Sequence, residues 1–441
     1  MSTTVPPKPP KIVIVGAGSR IFAARTVADL YLSSDLRGAE LVLVDISEEA
    51  LERTWAFVQQ LQEHMPDRLR LSRTTDQREA LAGADFVVTS IAINRMDLWR
   101  QDYLEPLRLG FHHCYGENGG PGAVFHTLRN LTPMVSIARD MEELCPDAWI
   151  LNFTNPENRI CLALNRHSSI KTVGLCGGVD LSTLGRFSEF LDIPRERMTA
   201  KVGGVNHFNW MLEFWDKETG EDLFPQLRAR VEEIGPPKGF EMCCALWDRF
   251  GVFPTTGDSH VGEYLSYGSE YFTKGYDYDH FLDQHRTVET RLGPYVDGSK
   301  PISDWVRPPS DADELSFGRT LAIEVMEHLH LRKKGRLLSV IVPNQGAIDN
   351  LPNDSIVETA GLFADGSVTG ERIGALPLAI ASMVRREQDI QELVVAAWAE
   401  SSRDLALQAL LLDPNVDSVQ RAEALLDRML TLQAEYLPPL E

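Results

Sequence analysis

Through the first 195 residues, short apolar runs alternate with longer stretches in which apolar positions recur every three or four residues. The runs 11–15, 40–44, 86–90, 149–153 and 172–175 are rich in β-branched residues and apolar at successive positions, as strands covered on both faces are. Between and after them, 21–31, 48–63, 125–144 and 157–167 have helical spacing. Strand alternating with helix in this way predicts an α/β fold, a doubly wound parallel (Rossmann) sheet. Beyond about residue 195 the rhythm changes. The stretch 202–210 reads as a strand of a different, antiparallel sheet and carries His207; 253–264 reads as a loop and helix start, 315–331 as a helix, 338–342 as a strand, and 376–432 as helical with a break at Pro414. The expected organisation is a dinucleotide-binding domain over 1–195, of which 1–10 is a flexible Ser/Thr/Pro-rich tail, and a second α+β domain over 196–441. The second domain completes the active site, contributes to oligomerisation and folds against the first.

The chemistry gathers where the predicted strands end, since open α/β sheets bind ligands outside the carboxyl ends of their strands. The first strand runs into Gly16-Ala17-Gly18-Ser19, followed by Arg20 and a helix. This arrangement lets backbone N–H groups approach a pyrophosphate at a helix N-terminus. The second strand ends in Asp45, placed to accept the ribose hydroxyls of NAD. Ile21 stands where the usual fingerprint has a third small residue, so the first helix must pack differently. Asn94, Arg95 and Arg100 follow the strand 86–90 and are read as solvated loop residues.

Tyr115-Gly116-Glu117-Asn118-Gly119-Gly120-Pro121-Gly122 is a loop whose four glycines allow close backbone approach and aim Glu117 and Asn118 inward. Asn155 and Cys176 close the fourth and fifth runs on the same edge. Asp258, His260, Glu263 and Tyr264 place four proton-transfer side chains within seven positions, although such a composition is also common on surfaces.

Composition narrows the partners. With 441 residues, 43% hydrophobic and 24% charged, the chain is that of an ordinary globular protein of two or three domains. Its 43 basic and 64 acidic residues give a formal charge of -21, which argues against nucleic acid and against an anionic membrane surface. No apolar run approaches the roughly 20 residues of a membrane span, and the start has no apolar signal core, so the cytoplasm is the expected location. The six cysteines, at 114, 145, 161, 176, 243 and 244, show no paired spacing and are expected as free thiols.

Taken in order, the Gly16–Ser19 turn, the Gly119-Gly120-Pro121-Gly122 loop with Arg129 behind it, Asn155-Pro156, Cys176, Asn206-His207, 254–264 and 344–352 resemble glycoside hydrolase family 4 over most of the chain. The resemblance implies an NAD- and Mn2+-dependent glycosidase. In that chemistry NAD+ takes hydride from C3 of the sugar, the C2 proton becomes acidic, the glycosidic bond is lost by elimination, water adds to C1, and the hydride is returned. It implies Cys176 and His207 as metal ligands, Asn155 on metal or sugar, Glu117 and Asn118 on sugar hydroxyls, and Gly16, Gly18, Ser19, Arg20 and Asp45 around the cofactor. Asp258 corresponds to the C2 base of some members; Tyr264 and His260 are the other candidates. A homodimer or homotetramer acting on a small glycoside is implied as well. One departure stands out: Gly177 follows Cys176 where most members of the family have His, Asn or Asp. Gly177 leaves room for two other readings, an NAD-dependent sugar or 2-hydroxy-acid dehydrogenase and a cofactor-binding sensor.

Overall fold

The computed structural model describes residues 7–19, 22–271, 294, 299–300 and 320–441. Arg20, residues 1–6 of the expected tail, most of 271–300 and the first part of the helix expected over 315–331 lie outside them.

Among the described residues twelve strands form one sheet: β1 (Lys11–Val15), β2 (Glu40–Val44), β3 (Arg70–Thr74), β4 (Phe86–Thr89), β5 (Trp149–Asn152), β6 (Lys171–Gly174), β7 (Met198–Val205), β8 (Phe208–Asp216), β9 (Phe253–Pro254), β10 (Gly335–Pro343), β11 (Ile356–Ala364) and β12 (Ser367–Gly370). The first six run parallel in the order β3-β2-β1-β4-β5-β6. That is the order of dinucleotide-binding sheets, in which the chain reverses direction across the sheet between β1 and β4.

The antiparallel part is not a separate sheet, as the change of rhythm suggested. β10 pairs antiparallel with β6 at Ile341 and Gly174, and the sheet continues through β11, β7, β8 and β9, with β12 on β11. A second correction concerns 202–210, which is not one strand. It is the end of β7, a two-residue turn at Asn206-His207, and the start of β8, with Val205 opposite Phe208.

Helices cover both faces. On one side Ile12, Ile14, Leu41 and Leu43 pack against Val27 and Leu30 of the helix Phe22–Leu32, and against Ile323 and Met326 of the helix Leu321–His330. On the other, Val13, Val15, Val42 and Val87 meet Leu131, Met134 and Val135 of the helix Gly120–Leu144. That helix begins inside the glycine loop, five residues earlier than expected, with Pro121 in its first turn, where its missing N–H costs nothing. Arg95 and Arg100 belong not to a loop but to the helix Arg95–Arg108, and Arg95 lies over the Trp99 ring at 5.1 Å.

The core does not stop at residue 195. Phe111, Val124, Phe125 and Leu128 pack against Ile390, Val394, Leu410, Leu426 and Met429 of the helices Leu378–Glu400, Arg403–Leu412 and Val419–Leu432. Arg129, buried in the same layer, is bonded to Asp102 at 3.0 Å and to Gln433 at 3.1 Å. Its part is to fasten the last residues of the chain to the first half. None of the six cysteines is held in a disulfide.

Candidate active site

At the first turn, Gly16 has φ +88°, and a Cβ there would stand 2.2 Å from the Ser90 carbonyl oxygen. A Cβ on Gly18 would meet Ala50 Cβ at 2.5 Å. Both positions therefore require glycine, and the turn stays thin enough for backbone to face a ligand. Asp45 is turned onto that backbone: one oxygen accepts the Gly18 N–H at 2.8 Å, the other the Ser47 N–H at 2.9 Å. Its contact with the turn was not foreseen; each oxygen keeps a second lone pair. Ser19 Oγ accepts the Phe22 N–H at 3.2 Å and so caps the following helix.

At the other end of the parallel sheet, Cys176 leaves β6 and His207 comes from the β7–β8 turn. Thirty-one positions apart in sequence, Cys176 Sγ and His207 Nε2 stand 3.3 Å apart. His207 adopts φ +63°, a left-handed backbone that a two-residue turn demands and that a strand would not allow. Burial, then the carboxylates of Glu157 and Glu358, push the Cys176 thiol well above its ordinary pKa. Burial and the neighbouring His260 hold His207 well below its own, so it is a neutral imidazole, the ligand form. The thiol needs a nearby cation to ionise in this setting.

The separation is of the size that one divalent ion bridges. With zinc's bond lengths as a yardstick, about 2.3 Å to sulfur and about 2.1 Å to nitrogen, two ligands lie about 3.1 Å apart at a right angle and about 3.6 Å apart at the tetrahedral angle. The observed 3.3 Å falls between. His207 Nδ1, and Asn206 Oδ1 and Glu157 Oε2 from residues beside Cys176, are buried without a hydrogen-bond partner among the described residues, as are Asn155 Oδ1 and both ends of the Asn118 amide. Buried polar atoms are nearly always satisfied, so a row of unsatisfied ones marks a place made for something polar. Glu117 lies 3.6 Å from Arg95.

The three base candidates are placed very differently. Asp258 is buried, and its two oxygens accept the N–H groups of Met242 and Cys243 at 3.0 and 2.8 Å, which starts the helix Glu241–Phe250. Burial nonetheless raises its pKa to about 6. Tyr264 donates its hydroxyl to the Asn206 carbonyl at 3.0 Å and stacks on Phe208 at 5.0 Å. Burial, then Glu263, raises its pKa well above the ordinary value. His260 is half-exposed, with its ring 4.2 Å from that of His207 and 5.8 Å from that of Tyr115. His207, His260 and Glu263 also form the one group among the described residues with three side chains spaced for a metal ion.

Glu157 was not foreseen, and Glu263 was named only within the 258–264 cluster, without a role of its own. Glu157 follows Asn155-Pro156 directly and is buried beside Cys176, and burial with Glu358 raises its pKa well above the usual range. Glu263 follows His260 at helical spacing, which was the only available signal. Beside Gly177 lies Leu181, and a side chain on Gly178 would collide with Thr256 at 2.6 Å. Among the described residues, the atoms nearest to a side chain placed at Gly177 are those of Leu181.

Comparison with known proteins identifies the family. Residues 11–183 match the model of Family 4 glycosyl hydrolase, and 202–416 that of the Family 4 glycosyl hydrolase C-terminal domain. An α-glucosidase of Erwinia rhapontici is 31% identical, across 97% of this chain and 98% of its own length. An α-galactosidase of Bacillus subtilis (strain 168) is 29% identical, across 97% and 99%. A solved 6-phospho-α-glucosidase from gut microorganisms, in complex with NAD and Mn2+, superposes with a TM-score of 0.85 at 24% identity, covering 98% of this chain and 100% of that one. With both family models matched in sequence order and a relative above 30% identity along nearly the whole chain, this protein belongs to family 4 of the glycosyl hydrolases.

Proposed function

We propose that the protein hydrolyses a small α-hexoside with NAD+ and a divalent metal, Mn2+ in the first instance, in the cytoplasm and as a homodimer or homotetramer. The observation that carries this reading is the Cys176–His207 pair at 3.3 Å on a chain of this family, to which the buried, unbonded side-chain amide of Asn118 and Oδ1 of Asn155 add polar groups free to bind a sugar. The two curated relatives described above are α-glycosidases by name, which supports the α-linkage.

When bound, the nicotinamide supplies a reversible hydride acceptor for C3 of the sugar and the ion a Lewis acid for its O2 and O3. The chain's own residues do the rest. The Gly16–Ser19 turn and Asp45 seat the dinucleotide, and Cys176 with His207 holds the metal. Asn118 and Asn155 donate to and accept from sugar hydroxyls, which fixes the ring against both. Of the three candidates for taking the C2 proton, His260 presents its ring across from His207, whereas Asp258 and Tyr264 are committed to backbone groups. His260 is therefore the residue we assign to it.

Aryl α-glucosides and α-galactosides assayed with and without NAD+ and Mn2+ test the reading, with release of aglycone expected only when both are present. Solvent deuterium must appear at C2 of the product. Net accumulation of NADH would instead support the dehydrogenase reading, because the hydrolytic cycle returns its hydride. Light scattering on the purified chain tests the oligomer.

A further inference from the structure

Glu263 has a place in the fold that its sequence neighbourhood does not explain. Three successive backbone N–H groups, those of Glu117, Asn118 and Gly119, converge on a single oxygen, Glu263 Oε2, at 3.0, 2.8 and 3.1 Å. The side chain is 0% exposed. These N–H groups immediately precede the 25-residue helix Gly120–Leu144, so the positive end of that helix faces the same carboxylate. Consecutive N–H groups turned to one point form a nest complementary to an anion, and here an internal side chain fills it. The loop lies flat on residue 263, since a Cβ on Gly119 would stand 2.9 Å from the Glu263 carbonyl oxygen.

The second oxygen, Oε1, approaches His260 Nδ1 to 3.5 Å without a hydrogen bond between them, and neither atom has another hydrogen-bond partner among the described residues. Residue 263 is in turn gripped from behind. Asn415 Nδ2 donates to the Glu263 carbonyl at 3.1 Å, and Arg386 Nη2 donates to the Tyr264 carbonyl at 3.1 Å. A line of bonds thus runs from the C-terminal helices through the turn Gly262–Tyr264 to the loop that presents Glu117 and Asn118.

We propose that Glu263 is a positioning residue of the sugar site: its carboxylate fixes the backbone of 117–119 so that Asn118 faces the sugar, and it steadies His260 opposite His207. Glu263 touches neither sugar nor cofactor in this role and acts through the loop and through His260. A full negative charge is required, because bonds from N–H groups to a carboxylate are about twice as strong as those to a neutral acceptor. The kinetic part rests on the glycosidase reading; the backbone part does not.

The test uses the full chain with Glu263→Gln and Glu263→Ala. Hydrogen exchange read by mass spectrometry on peptides covering 115–122 is expected to show slow amides in the native protein and exchange about ten-fold faster in Glu263→Ala. NAD+ affinity within about two-fold of native certifies that the variant is folded. On an aryl α-glycoside, Glu263→Gln is expected to lower kcat/KM by roughly ten- to a hundred-fold, mainly through KM. Sodium formate, which can refill the nest, should restore part of the activity of Glu263→Ala, and sodium chloride of equal ionic strength should not. Should Glu263→Ala fail to bind NAD+, Glu263→Gln decides by the same two readouts. Equal exchange at 115–122 in native protein and folded variant overturns the proposal, as does native kcat/KM in Glu263→Gln. A native protein without glycosidase activity would refute the functional reading alone, and the exchange result would still decide the role of Glu263.

Discussion

Replacing Arg129 by Met tests how strongly the two halves of the chain are fastened. Arg129 and Asp102 are 1% and 0% exposed, and the guanidinium also meets Gln433, whose own amide donates to Asp102 at 3.0 Å. Burial alone would raise the pKa of Asp102, but the charge of Arg129 and the hydrogen bonds from His126 and Arg129 outweigh it and hold it below the usual value. Taking away the guanidinium strands a buried carboxylate with two weaker partners, which costs about 3–5 kcal/mol. An unfolding entropy of about 2.1 cal/mol/K per residue over 441 residues is about 0.9 kcal/mol/K, so a loss of about 4 kcal/mol lowers the melting temperature by about 4 °C. Scanning calorimetry at pH 7 reads this directly. Adding Asp102→Leu to the variant should recover most of the loss, because the uncompensated charge goes with it. The sign with pH is also fixed. A carboxylate with a lowered folded pKa stabilises above its unfolded value and ceases to as pH falls through the folded one. The gap between native and Arg129→Met should therefore narrow toward acid. A melting temperature within about 1 °C of native at pH 7 would refute the reasoning.

Further outcomes follow from the site and the core. Asp258→Ala removes two charge-assisted bonds from a helix start and should cost about 3 kcal/mol, seen as a fall of about 3 °C, while His260→Ala should leave melting within about 1 °C and abolish turnover. Cys176→Ser should weaken Mn2+ binding by more than about a hundred-fold in calorimetric titration, with NAD+ affinity unchanged; unaltered Mn2+ affinity would remove Cys176 from the metal site. Gly18→Ala, whose Cβ would meet Ala50 Cβ at 2.5 Å, should raise the Kd for NAD+ about ten-fold in a fluorescence titration. Glu387 is buried, and burial, then Asp413, raises its pKa to about 8. The folded state holds that proton where the unfolded chain, with a value of about 4.3, releases it. The stability this contributes is complete below about 4.3 and is lost as pH rises through about 8, so Glu387→Gln should flatten the fall in melting temperature across that window.

The first half of the fold was legible because its central strands are covered on both sides, which writes an apolar run into the sequence. β1 and β2 were found at their observed ends, and β4, β5 and β6 within a residue. β3 left no such trace: as the sheet's outer strand it carries Arg70, Ser72 and Arg73 toward solvent. The β7–β8 turn was hidden for a different reason. Its two residues include no glycine or proline, and both flanks are apolar, so hairpin and strand look alike in one dimension; only the left-handed backbone of His207 distinguishes them. The helix Arg95–Arg108 is sparse in apolar positions and contains Pro106, which reads as a breaker although it sits in the last turn.

The site was legible only in part. Cys176 and His207 were named through resemblance, and no local pattern announces that a strand end and a turn thirty-one residues on will meet. Asp258 looked free for chemistry because sequence does not show that two N–H groups fifteen and sixteen positions earlier would claim it. Glu263 was named among the side chains of 258–264 but given no role, because its partners, 144 to 146 positions upstream, are backbone atoms that every residue has.

The reach of the C-terminal contacts sets an order of assembly during synthesis. The Gly16–Ser19 turn, β1 and β2 are complete as soon as the first fifty residues have been made, yet β6 lacks its β10 neighbour until residue 343. The loop at 117–119 waits for Glu263, Glu263 waits for Asn415, and Asp102 waits for Gln433. A ribosome would thus release nearly the whole polypeptide before the sugar pocket could take its final form, and a chain cut short by its last few dozen residues would possess every site residue and still be unable to arrange them.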